Sequence, residues 1–243
     1  MEKKFPKSIQ KVFAWLYHRW SLRVRLDKDI VKDLAEYFDL DQKKIIWMLK
    51  SGKRLNNDFW YLLNPKTEEE IKKFYEFTPY YIFDLTYWHM SRAQRNFRNN
   101  IIKLCEGDIL DYGGGIGDLC LEFAKRGLNI TYADIYGRTF EFAEWLFRKR
   151  GYEIETINLT KESLSKNYDT ILCIDVIEHV SDPQKLLKDL TCHLNNNGKL
   201  IITNLNIQEI KYPMHFKIGF NAENYLNSLG LFRTKEPWLW LKS

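Results

Sequence analysis

Ile109-Leu-Asp111-Tyr-Gly113-Gly-Gly115-Ile-Gly117-Asp118 joins a short apolar run to a glycine cluster and then to an amphipathic stretch. Residues 107–112 read as a buried strand. From Gly117 to Arg126, Leu119, Leu121, Phe123 and Ala124 recur on one side of a helix, which Gly127 ends. Glycines between a strand and a helix let the backbone approach a ligand closely, and the ligand then meets the helix N-terminus. The spacing separates two kinds of ligand. A dinucleotide fingerprint, G-x-G-x-x-G, counted from Gly113 ends at Asp118, where a carboxylate would repel a pyrophosphate. The pattern is instead D-x-G-x-G-x-G, and an acid ahead of the glycines suits a ligand bearing an ammonium group. No G-K-[ST] follows, so a P-loop is excluded.

Outward from this segment, strand and helix signals alternate. Strands are expected at 129–133, 154–157, 170–173 and 199–203, and helices at 139–150 and from Pro183 to Leu194, the latter ended by Asn195-Asn-Asn-Gly198. A last helix at 222–229 leads to closing strands around Phe232 and 238–241. Such alternation predicts an α/β fold, a mostly parallel sheet with helices on both faces. The front half reads as helices. Ile9, Val12, Phe13, Leu16 and Trp20 share one helical face; residues 27–52 give two more helices, with Asp41 as an N-cap; Thr67 with Glu68–Glu70 starts another; and 91–104 is a basic amphipathic helix.

With 243 residues, 45% hydrophobic and 28% charged, the chain can bury a core and is not of disordered composition. It holds no apolar run long enough to span a membrane and no secretory h-region near Met1. Cys105, Cys120, Cys173 and Cys192 form no CxxC pair, so neither a zinc site nor a disulfide framework is expected, and a cytoplasmic setting is. The first hundred residues carry 20 Lys+Arg against 13 Asp+Glu, and the remaining 143 carry 17 against 19. Charge and aromatics thus concentrate at the front, which predicts two parts with different jobs.

Asp134 ends the second expected strand, where a carboxylate can accept both hydroxyls of a ribose. A nucleoside with a cationic amino-acid tail satisfies Asp111 and Asp134 together, and S-adenosylmethionine is that molecule. At this point residues 91–243 resemble the class I S-adenosylmethionine-dependent methyltransferases. The resemblance rests on ILDYGGGIGD (109–118), YADIY (132–136), DTILCIDVIEHVSDP (169–183) and NNGKLIITNLN (196–206), in the family's order. It implies a Rossmann-like core with an antiparallel C-terminal hairpin, under a helical N-terminal cap of residues 1–90. It also implies that Asp111, Gly113, Gly115 and Gly117 hold the methionine end and that Asp134, with Ile135, holds the ribose. Asn158 and Leu159 would lie along the adenine, and Asp175 near the methionine moiety.

His179, in Ile177-Glu178-His179, follows the fourth strand on the edge where α/β proteins bind ligands. It is read either as a general base for a hydroxyl acceptor or as a packed, substrate-lining residue. Tyr81, Trp88, His89, Glu178 and His215 are candidate substrate-lining residues. No metal is expected. The chain lacks [DNS]-P-P-[FYW] after strand four, a Pro-Cys pair and a paired-glutamate loop, three signatures of nucleic-acid and protein methylation. The expectation is therefore metal-independent, in-line methyl transfer to an O, N or C atom of a small organic molecule. An RNA or lipid methyltransferase, or a cofactor-binding protein without turnover, are the alternatives. For the front helices the readings are a plain cap, a homodimer contact, nucleic-acid contact through Lys43, Lys44, Lys50, Lys53 and Arg54, and a membrane-surface contact through Lys3, Lys4, Lys7, Lys11, Arg19 and Arg23 beside Phe13, Trp15 and Trp20.

Overall fold

The structure, a computed structural model, describes residues 23–206 and 212–243. The first expected helix, with Lys3, Lys4, Lys7, Lys11 and Arg19 of the membrane-contact reading, lies outside the described residues; Arg23 of that set lies inside them, and its carbonyl accepts the Arg92 N–H. Helices come first: Lys28–Tyr37 (α1), Gln42–Leu63 (α2), Glu68–Phe77 (α3), Tyr81–His89 (α4) and Arg92–Ile102 (α5). Their starts follow the expected chemistry. Asp27, Asp41 and Ser91 each accept a backbone N–H of the first turn, and Thr67 with Glu70 forms a full capping box.

Then strands and helices alternate: Ile109–Tyr112 (β1), Asp118–Ala124 (α6), Ile130–Asp134 (β2), Arg138–Arg150 (α7), Glu155–Asn158 (β3) and Tyr168–Cys173 (β4). After a 3-10 turn at Ile177–His179 come Pro183–Cys192 (α8), Leu194–Ile202 (β5), Ala222–Ser228 (α9), Leu231–Arg233 (β6) and Leu239–Lys242 (β7). The strand order is β3-β2-β1-β4-β5-β7-β6. The pairs among β1 to β5 are parallel, and β7 is antiparallel to both its neighbours. The order reverses between β1 and β4, so their C-terminal ends open a crevice, the usual ligand position in such sheets.

Successive strand residues point to opposite faces, and the core divides accordingly. Ile109, Tyr132 and Leu172 pack with α6 and α7, and in the same cluster with Val31, Leu34, Ile45, Leu49 and Phe83 of the N-terminal helices. Leu110, Ala133, Ile171 and Cys173 face Leu187, Leu190, Leu226 and Trp240 on the other side. Among the described residues no helix is long and apolar enough to cross a membrane.

Two local expectations are corrected. The helix expected to stop at Gly52 continues to Leu63, because Gly52 sits where α2 crosses α4: a Cβ there would lie 2.6 Å from the Asp84 backbone nitrogen. Asn195–Gly198 does not separate α8 from a strand at 199. Those residues lie inside β5 as an irregularity, Tyr168 pairing with Leu194 and Thr170 with Lys199. Asn197 takes a left-handed φ of 62°, which asparagine tolerates better than most residues.

Candidate functional site

The crevice opens into a cavity of about 870 Å³ lined from both the sheet and the N-terminal helices. At one end stands the glycine loop. Gly113 and Gly115 have φ of 73° and 56°, and a Cβ on Gly113 would come within 2.4 Å of Val176. The N–H groups of Gly113 and Gly114 donate to the Ala133 carbonyl, tying the loop to β2. Gly117 serves differently from its neighbours: it caps α6, its Cβ position lies 2.5 Å from the Phe147 ring, and it is absent from the cavity wall.

Asp111 is buried at the end of β1 and accepts a weak hydrogen bond from Cys120 Sγ at 3.3 Å. Burial pushes its carboxyl up to about 6, against the pull of Cys120 and Arg98. Asp134, at the end of β2, accepts the N–H groups of Gly115 and Ile135, each at 2.7 Å. Burial pushes it up to about 6 as well. Each of its oxygens keeps a second lone-pair direction for a ligand hydroxyl. Ile135 and Leu159 line the cavity. Asn158 does not: its side chain accepts the Thr160 N–H at 3.0 Å and closes its own turn.

Asp175 is the hub of the middle. It has a φ of 55°, and its carboxylate accepts from Trp88 Nε1, Gln94 Nε2, Thr203 Oγ1 and Asn204 Nδ2 at 2.9–3.2 Å. Trp88 is thereby joined to the tip of β4. His89 is held by Asp118, its Nδ1 3.0 Å from a carboxylate oxygen, and Arg98 Nη1 lies 2.6 Å from the other oxygen. Burial opposes charge on Asp118, but Arg98 and His89 hold its carboxyl well below the usual range. The acid that would repel a phosphate is thus already paired.

At the far end, the Tyr75 hydroxyl lies 2.8 Å from His179 Nδ1. His215 packs edge-on to His179, with ring centres 4.7 Å apart, and stacks on Tyr212 at 5.1 Å. Burial lowers His179 to about 3 and lowers His215 in the same sense. Glu178 is 1% exposed; Asn204 donates to its Oε1, while Oε2 is buried without a partner among the described residues. Burial, reinforced by Asp175, pushes its carboxyl up to about 8. The polar atoms of Glu178, His179 and His215 gather within 4.8 Å, with Tyr75 at His179 Nδ1 and Asn204 at Glu178 Oε1. Tyr81 packs edge-on to Tyr75 and completes this wall.

The structure therefore brings Asp111, Gly113, Gly115, Asp134, Ile135, Leu159, Asp175, Tyr81, Trp88, His89, Glu178, His179 and His215 to one cavity and leaves Gly117 and Asn158 outside its wall. Of the wall residues that the sequence did not mark as site candidates, Tyr75, Arg98 and Lys53 bear most on its chemistry. Tyr75 and Arg98 lie on helices whose pattern shows only an amphipathic face. Lys53, grouped by sequence with a nucleic-acid patch, stands at the cavity with Nζ 4.0 Å from the centre of the Tyr212 ring.

A family model described as a methyltransferase domain matches residues 84–226. The chain is similar to the ubiquinone biosynthesis O-methyltransferase of Rickettsia canadensis, at 34% identity over 116 residues, 47% of this chain and 48% of that one. It is similar to the protein of the same name from Rickettsia conorii at 36% over 110 residues, 44% and 37% of the two chains. The chain spans about half the length of the curated relatives it matches. Among solved structures, TehB from Haemophilus influenzae superposes with a TM-score of 0.50 at 20% identity, covering 61% of this chain and 54% of that one. The 4+2 cyclase SpnF does so with 0.50 at 16%, covering 58% of each. At these identities the likeness to solved structures is one of fold alone.

Proposed function

The chain belongs to the methyltransferase-domain family, and on that premise we propose that it moves a methyl group from S-adenosylmethionine to an acceptor atom of a small organic molecule. The observation that carries this reading is the pair Asp111 and Asp134 flanking the glycine loop at the sheet's reversal point, on the wall of a cavity lined with aromatic side chains. The relatives named as ubiquinone biosynthesis O-methyltransferases support oxygen as the acceptor atom.

The residues present fit the cofactor. A Cβ at Gly113 or Gly114 would strike Val176 or Tyr132, so this loop keeps a bare backbone beside the cavity. Asp134 has lone pairs left for ribose hydroxyls, Leu159 and Ile135 offer an apolar wall to a base, and Asp111 offers negative charge to an ammonium group. Arg98, with a buried Nε that lacks a partner among the described residues, offers the cation that a carboxylate requires. When bound, the cofactor supplies an electrophilic methyl group on a sulfonium. The protein's share is to orient donor and acceptor, to exclude water and to hold the acceptor oxygen. Residues 1–90 form the cap in this reading, and residues 91–243 the cofactor-binding core.

The experiment is incubation of the purified protein with methyl-labelled S-adenosylmethionine and a cell extract, fractionated into small molecules, lipids, RNA and protein. Label is expected in the small-molecule or lipid fraction. Label confined to RNA or protein would overturn the substrate class.

A further inference from the structure

Four side-chain donors meet at one carboxylate. Asp175 Oδ1 accepts from Thr203 Oγ1 and Asn204 Nδ2, both at 2.9 Å, and Oδ2 accepts from Trp88 Nε1 and Gln94 Nε2, both at 3.2 Å. Thr203 Oγ1 in turn accepts the Asp175 backbone N–H at 2.8 Å, which leaves the hydroxyl hydrogen for Oδ1. A carboxylate offers about four lone-pair directions, and here the protein uses all of them. Asp175 therefore keeps none for a ligand, in contrast to Asp134. The arrangement is costly. Asp175 takes a left-handed φ of 55°, and Gln94, with its amide nitrogen turned to an acceptor-only group, leaves Oε1 buried without a partner among the described residues. Its effect is visible on α4, where Leu85, Trp88 and His89 share one helical face at i, i+3 and i+4. Leu85 Cδ1 lies 3.2 Å from the Cβ position of Gly115, Trp88 reaches Asp175 at the tip of β4, and His89 Nδ1 lies 3.0 Å from Asp118 at the start of α6. One helix thus lies across three core segments that frame the glycine-loop end of the cavity.

We propose that Asp175 is a positioning residue: it does not touch the cofactor, and through Trp88 and Gln94 it holds α4 and α5 against the tip of β4, so that α4 closes the methionine end of the site. The inference rests on the methyl-transfer reading. The family resemblance places Asp175 beside the methionine moiety as a binding residue, and the lone-pair count gives it a different task. Trp88 lines the cavity and Gln94 does not, so the effect of Asp175 on a ligand passes through the indole. Thr203 and Asn204 directly follow β5, so the same carboxylate also joins the ends of β4 and β5. His89 with Asp118 is a second tie between α4 and the core. Loss of Asp175 should therefore release the Trp88 ring without detaching the helix.

The test is a double-mutant cycle on the full chain, with S-adenosylhomocysteine as the probe. Asp175→Gly removes the carboxylate and suits the left-handed backbone, and Trp88→Phe keeps a ring but removes its donor. Each should weaken binding by about three- to tenfold in calorimetry, and the double variant should bind no more weakly than Asp175→Gly alone. Losses that multiply would mean that Asp175 meets the ligand itself, and would overturn the proposal. In NMR of the wild-type chain, the Trp88 indole N–H, identified by its absence from Trp88→Phe, should lie downfield as a carboxylate-bound donor and move upfield in Asp175→Gly. An unmoved resonance would also overturn it. If Asp175→Gly does not fold, Trp88→Phe decides alone, and unchanged affinity in that variant sinks the proposal. Failure of S-adenosylhomocysteine to bind the wild-type chain would overturn the methyl-transfer reading and this inference with it, whereas multiplying losses on intact binding would overturn the inference only.

Discussion

Asp111 and Asp134 have raised carboxyls in the free protein, and this sets the direction of a pH effect. Each loses its charge as the pH falls through about 6. A ligand with an ammonium group and ribose hydroxyls then loses its acceptors, so calorimetric affinity for S-adenosylmethionine should be level above neutrality and weaken below about pH 6. Linkage gives the opposite trend for stability. Raised carboxyls contribute stability that is present below the ordinary carboxylate range and lost as the pH rises through about 6. Asp134→Ala should weaken the cofactor by about 1.5–3 kcal/mol, the cost of hydrogen bonds to a charged group; unchanged affinity would remove the ribose assignment. Asp118 makes a different prediction. Asp118→Asn leaves the Arg98 guanidinium buried without its counter-charge and should destabilise the fold by about 3 kcal/mol in urea unfolding. The first two acids were legible because each ends a strand beside the glycine segment. Asp118 was legible only as an obstacle to phosphate, because its partners, His89 and Arg98, come from separate helices that sequence spacing does not bring together.

Helix boundaries show the same limit at the scale of elements. The capping residues Asp27, Asp41, Thr67 and Ser91 act locally, so the starts of α1, α2, α3 and α5 can be read from neighbouring residues. Gly52 answers to Asp84, a partner on another helix. It ends no helix; it lets α4 approach α2. Gly52→Ala would drive a methyl group into the backbone of Asp84 and Phe83 and should cost about 1–3 kcal/mol, read as a lowered thermal midpoint. Because α4 carries Tyr81 and Trp88, the same substitution should loosen the cavity wall. The run Asn195–Gly198 was misread for a related reason. Four turn-forming residues mark a break locally, but β4 pairs on either side of them and absorbs them as an irregular stretch of β5.

For the whole molecule, the alternation of strands and helices carried the fold class, while the cavity is shared between two halves that composition separates. The basic, aromatic front half contributes Lys53, Tyr75 and Tyr81 to the wall, and its helices share a hydrophobic cluster with one face of the sheet. A ligand filling that wall should stabilise the fold as a unit. S-adenosylhomocysteine at a hundred times its dissociation constant should add about 2.7 kcal/mol and raise Tm by roughly 5–10 °C; a ligand without effect on Tm would mean the cavity is not its site. The strand order has a further consequence. Among the described residues β6 has one sheet neighbour, β7, and β7 follows it in the chain while lying between it and β5. During synthesis, residues 231–233 must wait for residues 239–242 before they have anything to pair with. Loss of those four residues would therefore strip two strands from the sheet, and the edge left bare would be the long, parallel-paired β5, an open template for another chain.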